Sequence, residues 1–314
     1  MNEVTHSLAP DLCIQPSSDA NQQAANLTNW QQEYDQLSNG RYMGQIIERR
    51  FSHIHVFRED SNRALKQACR VEVGGLWLGI SAQQKSLHLN HAKVSANHML
   101  LRSGGVDFEL ITPDAFSIYG MVLDQHLLES ISEQVEFGLG DIDKLCQVES
   151  QEQAIQLKNY LALLLAPKPT RWSSHTHEAL LKDFVAEQLT LKPNTNTHLE
   201  SPYRRQKIMG QIKQYLENID TSNPITISEL CEAVHVSRRT LQYSFEACCG
   251  MAPQQFIQRQ RLNQVRRVLQ DATDTRAVYE IAFSFGFYHL GQFAKSYKRL
   301  FGEKPSETKK TVNK

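Results

Sequence analysis

"HVSRRTLQYSFEACCG" occupies His235–Gly250 and decides how the carboxyl-terminal third is read. Ser237 is a good N-cap, Leu241 and Phe245 lie four apart on one helical face, and Gly250 suits a left-handed stop. Two adjacent arginines, Arg238 and Arg239, open this helix, where partial positive charge on the free N–H groups would favour acids. Arginines in that place ask for an anionic partner outside the chain.

Upstream, Thr226 can cap a helix carrying Ile227, Leu230 and Val234, with His235-Val236 as the turn. Before it, Ile208, Ile212, Tyr215 and Ile219 mark one face of a further helix, which Asn223-Pro224 is expected to stop. Downstream, a long helix starts near Pro253 with Phe256, Leu262, Val265 and Leu269 inward. The plan then repeats. "AVYEIAFSFG" (277–286) is a short helix, Phe287-Tyr288 is a turn, and "HLGQFAKSYKRLFG" (289–302) is a second helix ending at glycine. The two presumed starts, Ser237 and His289, lie 52 residues apart, an internal duplication of a helix-turn-helix.

The bulk numbers agree with this division. A chain of 314 residues, 40% hydrophobic and 22% charged, is an ordinary globular composition with room for two domains. Its net charge of zero hides an asymmetry. From Pro202 to Lys314 there are 18 Lys and Arg against 10 Asp and Glu, so the rest carries 16 against 24. A basic third on an acidic remainder suggests that one part meets a polyanion. There is no apolar run of about 18 residues, so no membrane span is expected. Six cysteines without framework spacing and without a C-x-x-C fit a reducing cytoplasm and no structural zinc.

Residues 1–27 are polar and read as a flexible tail. From about Trp30 to Leu123, short apolar alternations such as "SHIHVF", "DFELIT" and "FSIYGMVL" suggest an antiparallel barrel or sandwich. "QEQAIQLKNYLALLLA" and "SHTHEALLKDFVAEQL" read as helices. The expected architecture is α+β: residues 28–189 form a domain with an antiparallel barrel or sandwich and helices that could pair two copies, 190–202 a linker, and 203–310 an all-α domain with two helix-turn-helix units.

Two such units on one long helix can reach successive major grooves of a duplex. With Leu241 and Phe245 inward, Arg239, Gln242 and Tyr243 lie outward. Arg pairs bidentately with guanine and Gln with adenine, while Arg238 is placed for phosphate. In the second unit Lys295 and Lys298 are phosphate contacts, and His289 or Gln292 touches phosphate or a base edge.

These residues resemble the AraC/XylS family of transcription regulators. The resemblance rests on Ser237, Leu241 and Phe245, then Gly250-Met-Ala-Pro253, Arg261, Gly286-Phe287 and Phe301-Gly-Glu-Lys-Pro305, across roughly residues 204–308. His289 stands where serine is usual, and Leu290-Gly291 replaces the usual polar pair, which points the second unit toward gripping phosphates. The resemblance implies that residues 28–189 are a cupin-like, effector-sensing barrel domain, with promoter DNA and RNA polymerase as partners, a small-molecule effector, a homodimer and an activating role. A narrower resemblance, carried by "NWQQEYDQL", "RALKQAC", "GGVDFELITPD" and "RLNQVRR", is to regulators of ethanolamine utilisation within that family. It implies ethanolamine and adenosylcobalamin as effectors, with no cofactor required.

In the sensor, an amine effector calls for an acid and an aromatic wall, and the candidates are Phe57, Glu59, Trp77, Phe108 and Glu109. His53-x-His55 with Glu59 echoes the metal motif of cupin barrels, but its flanking glycines are missing and the histidines are read as solvated or core residues, with no metal. Two other functions stand beside the regulator: a metal-dependent cupin enzyme with a DNA-binding tail, and a repair protein with Cys69 as sacrificial thiol. No nucleophile–base pair or phosphate-cradling glycine loop is present, so no enzyme is expected.

Overall fold

The computed structural model describes residues 12–28, 30–135, 151–167, 172–190 and 200–312. The chain runs β1 (Leu12–Ser17), α1 (Ala20–Asn26), β2 (Trp30–Gln36), β3 (Gly44–Arg50), β4 (Ile54–Ser61), β5 (Leu65–Val71) and β6 (Leu76–Ser81). It continues through β7 (Leu87–Leu89), β8 (Ala92–Val94), β9 (Met99–Ser103), β10 (Asp107–Thr112) and β11 (Phe116–Leu123) into α2 (Gln125–Val135), α3 (Gln151–Leu164) and α4 (Ser174–Thr190). The helical domain comprises α5 (Glu200–Asn218), α6 (Ile227–Ala233), α7 (Arg238–Cys249), α8 (Pro253–Leu269), α9 (Val278–Ser284), α10 (Leu290–Phe301) and α11 (Pro305–Val312).

The strands form two antiparallel sheets, one ordered β1-β3-β4-β11-β6-β9 and the other β2-β5-β10-β7-β8. Between them lies an apolar core of Phe57, Cys69, Trp77, Leu100, Phe108 and Leu110. The outer face of the six-stranded sheet is also covered: Val56, Leu78, Met121 and Leu123 pack against Leu128, Leu157, Leu161, Leu181 and Val185 of α2–α4. A sheet buried on both faces needs apolar residues at successive positions, which is why "LWLGIS" and "FSIYGMVL" do not alternate.

Within the six-stranded sheet, Gly79 and Gly120 are register partners. Each leaves room for an aromatic ring: a Cβ at Gly120 would lie 2.1 Å from Phe57 Cζ, and one at Gly79 2.2 Å from Trp77 Cζ2. The rings of Trp30, Phe57, Trp77 and Phe108 then pack together at centroid distances of 5.0 to 6.2 Å.

Part of the expected tail is ordered. Residues 12–17 pair with β3, and Asp19 caps α1 by accepting hydrogen bonds from Asn21 and Gln22. What orders this polar segment is tertiary: Gln23 is fully buried and donates to Glu59, and Asp19 binds Arg266 of α8. Residues 1–11 lie outside the described residues, as do positions 191–199 of the expected linker, whose last three positions belong to α5. Helix α5 ends at Asn218, before the expected Asn223-Pro224 stop, because Asp220 folds the chain onto Ser222.

Replacing Gly120 by alanine should force the Phe57 ring out of place and lower stability by about 1–3 kcal/mol, read as a lower urea midpoint. An unchanged midpoint would show that the ring is not held against the strand.

Candidate nucleic-acid interface

The first unit is α6, a turn and α7. Thr226 and Glu229 form a reciprocal capping box on α6, satisfying free N–H groups at both positions. Val234 ends the helix, and His235 turns the chain with φ +51°, a region that histidine tolerates better than most residues. Ser237 caps α7 by accepting from the Thr240 N–H at 3.1 Å, and Gly250 ends it at φ +66°. Leu241 and Phe245 are fully buried in one core with Ile208, Ile212 and Leu230. That burial fixes the rotation of α7 and turns Arg238, Arg239 and Tyr243 to the surface. Gln242 is half-buried and donates to Glu246 at 2.7 Å, so it must exchange that bond to touch a base.

Arg239 and Tyr243 border a hollow of about 340 Å³ together with Arg204 and Arg205 of α5. Sequence reasoning passed over this second arginine pair. Its signal is the basic doublet one turn before Ile208, in a helix whose apolar face carries Ile208 and Ile212.

In the second unit, Glu280 accepts from the Ala277 N–H at 2.6 Å at the start of α9. Gly286 turns the chain at φ +78°. Phe287 repeats the turn bond of Val236: the N–H of each reaches back to a carbonyl five residues earlier, on Ala282 and Cys231. One more residue then precedes α10 than precedes α7, and His289 at the N-cap makes no side-chain capping bond. Phe293, Tyr297 and Leu300 face inward, leaving His289, Gln292, Lys295, Lys298 and Arg299 exposed. By the 52-residue offset, Gly291 stands where the first unit has Arg239, and Lys295 where it has Tyr243. The second face is basic but has no fork-shaped donor at that place.

The loop after α5 ties the units together. Arg261 of α8 donates to the Asn223 carbonyl and packs over Gly286, where a Cβ would lie 2.6 Å from its Nη1. Tyr288 donates to the Ser222 carbonyl at 2.8 Å, and Thr221 to Ser284 at 3.1 Å.

The five effector candidates of the two-sheet domain do not line one open site. Phe57, Trp77 and Phe108 fill the interior core. Glu59 is buried and accepts from Gln23 at 2.8 Å and Gln67 at 3.0 Å, and burial raises its carboxyl above the usual range. Glu109 faces Lys66 and His91 elsewhere, 3.6 and 3.5 Å away. A cleft of about 380 Å³ opens at the Trp30 end of β2, bordered by Arg50, His53, His55, Asp124 and His126. None of these was singled out for an effector, because a cleft at a strand end is assembled by loops distant in sequence. His53 and His55 do not share a partner. His53 bonds Asp124 at 2.8 Å, which raises its pKa, and stacks on His126, while His55 bonds Glu48 at 2.8 Å. Among the described residues no three His, Cys, Asp or Glu side chains gather to hold a metal ion. Burial, with Glu59 and Glu109 nearby, pushes the Cys69 thiol well up, the opposite of what a sacrificial thiolate needs. Among the described residues no helix is long and apolar enough to cross a membrane.

Residues 230–311 match a family model described as a helix-turn-helix domain. The chain is 34% identical over 125 residues to the XylDLEGF operon transcriptional activator of Pseudomonas putida, covering 40% of this chain and 39% of that one. It is 35% identical over 99 residues to XylDLEGF operon transcriptional activator 2 of the same organism, covering 31% and 62%. It is 37% identical over 99 residues to a probable thc operon regulatory protein of Rhodococcus erythropolis, covering 31% and 30%. The chain thus spans about two fifths of the first of these relatives. A solved structure, a probable AraC family transcriptional regulator from Rhodopseudomonas palustris, shares 35% identity over 33% of this chain and 96% of that chain, with a TM-score of 0.31. Residues 230–311 are therefore a helix-turn-helix domain, similar to the corresponding part of these operon activators.

Arg239→Ala is expected to weaken binding to the preferred duplex by about 1–3 kcal/mol and to relax preference at one base position. Equal losses on preferred and random DNA would remove Arg239 from base reading. For Lys298→Ala the expectation is a loss on every sequence and a salt slope smaller by about 1, and an unchanged slope contradicts a phosphate contact.

Proposed function

We propose that this protein is a sequence-specific transcription activator of the AraC/XylS type, governed by a small molecule bound in a cupin-like sensor domain. The observation that carries the reading is the pair of outward-facing helices α7 and α10 joined by α8, both with basic exposed faces. The first unit reads bases through Arg239 and Tyr243, with Arg238 on phosphate. The second grips phosphates through Lys295 and Lys298, with His289 and Gln292 beside them. The relatives' names, as activators of operons, support the activating role and RNA polymerase as partner. Exposed Ile155, Leu163 and Leu180 on α3 and α4 support pairing with a second copy.

The effector site in this reading is the cleft at Trp30. Asp124 and Glu72 with the Trp30 ring supply the acid and aromatic wall that an ammonium group calls for. Ethanolamine, with adenosylcobalamin, is the effector suggested by the narrower sequence resemblance.

The test is one series on the full chain. A preferred duplex is first selected from random DNA, and its binding and the heat-melting midpoint are then measured with ethanolamine, with adenosylcobalamin, with both and with neither. A selected sequence and a raised midpoint with either ligand are expected. Failure to enrich any sequence overturns the regulator reading. Enrichment without a ligand shift overturns only the effector.

A further inference from the structure

We propose that the segment Asp35–Gly40 is a brace that sets the spacing of the two helix-turn-helix units, with Gln36 and Asn263 as positioning residues for reading two successive grooves. The inference rests on the DNA-binding reading of α7 and α10.

Adjacent residues of this segment go to different units. Leu37 is 1% exposed and belongs to the apolar core of the first unit, beside Leu241, Phe245 and Ile208. Gln36 points to the second. Its Nε2 donates to the Leu300 carbonyl at 2.7 Å, and the Gly40 N–H donates to the same carbonyl at 2.9 Å. Leu300 lies in the last turn of α10, where carbonyls have no partner within the helix. A loop of the two-sheet domain therefore caps the second recognition helix. Gly302, which ends that helix at φ +76°, lies against the Arg41 backbone, where a Cβ would meet Arg41 N at 3.0 Å.

Between the two units, α8 is held by the same strand end. Asn263, 1% exposed, accepts from the Gln36 N–H at 2.9 Å and donates to the Gln36 carbonyl at 3.0 Å, as a neighbouring strand would. One turn on, Arg267 binds Asp35 at 2.8 Å and Glu33 at 3.0 Å, and Arg266 binds Asp19 at 2.6 Å and Glu303 at 2.8 Å. None of these contacts uses the exposed faces of α7 or α10, so the brace and a duplex can engage the domain together. Beyond α8 and the loop after α5, which already tie the units, the brace adds a hold on their relative angle at the end of α10. Fixing that angle from outside raises the effective concentration of the second module only at the matching spacing.

The test uses the full chain and duplexes carrying its two selected boxes at the preferred spacing, or with one to five base pairs inserted, or with one box scrambled. The native protein should prefer the matching spacing by at least about tenfold. Gln36→Ala and Asn263→Ala should bring that preference to within about threefold while binding the one-box duplex as the native protein does. Melting curves identify any variant that fails to fold, and Gln36→Glu, which sets an acceptor against the Leu300 carbonyl, then replaces it. Folded variants that keep the full spacing preference overturn the brace. So do variants that bind every duplex more tightly with the preference intact, since that result marks an inhibitory contact. A native protein that selects no boxes overturns the DNA-binding reading itself.

Discussion

The arrangement of the two domains depends on one buried amide. Asn263 lies in the middle of α8, where an asparagine has no intrinsic advantage, and its side chain is sealed from water. Both of its polar atoms are satisfied, by the backbone of Gln36 and by the Arg259 carbonyl 2.8 Å away. A buried polar group left without a partner costs about 1–3 kcal/mol. The Asn263 pair therefore favours one relative placement over the many in which apolar surfaces merely touch, and separation is tolerable only if water reaches both sides. The neighbouring ion pairs act in the same sense. Burial alone would raise the Asp19 carboxyl, but the Arg266 charge and the hydrogen bonds from Arg266 and Gln270 outweigh it and hold it below the usual carboxylate range. That share of the docking energy is present above about pH 4 and is lost as pH falls through the lowered value.

On this frame the two helix-turn-helix units are alike in architecture and unlike in chemistry. Both bury an apolar pair four apart, Leu241 with Phe245 and Phe293 with Tyr297, and both end at a glycine with positive φ. The first presents arginines from two helices around one hollow, a fork-shaped donor set suited to base edges and phosphates. The second presents Lys295 and Lys298, which act as point charges, with Arg299 at the far end of α10, and leaves glycine at the place of Arg239. The extra turn residue and the uncapped His289 also make its entry into α10 less constrained.

The helical domain was legible because its signals are local. Thr226, Ser237 and Gly250 act within one turn of where they stand, and spacing alone placed Leu241 and Phe245 inside. The two-sheet domain was legible as a class and obscure in its details. Phe57 and Trp77 look like a ligand wall in sequence, yet Gly120 of β11 and Gly79 of β6 lie beneath their rings and make them core. Glu59 and Glu109 look equivalent as acids. Register buries one with Gln23 and sets the other against Lys66 and His91. Residues 12–27 look like a tail because they lack a long apolar pattern, and their order comes from partners more than 200 residues away in the case of Asp19.

Under the proposed function, that distant partnership bears on how the two-sheet domain reaches the helix-turn-helix units. Strand β2 has Trp30 at the open cleft and Gln36 at the Asn263 pair, about 20 Å apart at the rise of a β-strand. Helix α1 makes a second link, with Gln23 on the buried Glu59 and Asp19 on Arg266. A ligand shifts a conformational equilibrium only by its difference in affinity for the two states. A molecule in the cleft that leaves β2 and α1 where they are therefore changes nothing at the units, however tightly it binds. One that shifts either element acts on the same few hydrogen bonds that hold α8 and the end of α10, so a small displacement is met by the loss of discrete, buried bonds instead of a gradual strain.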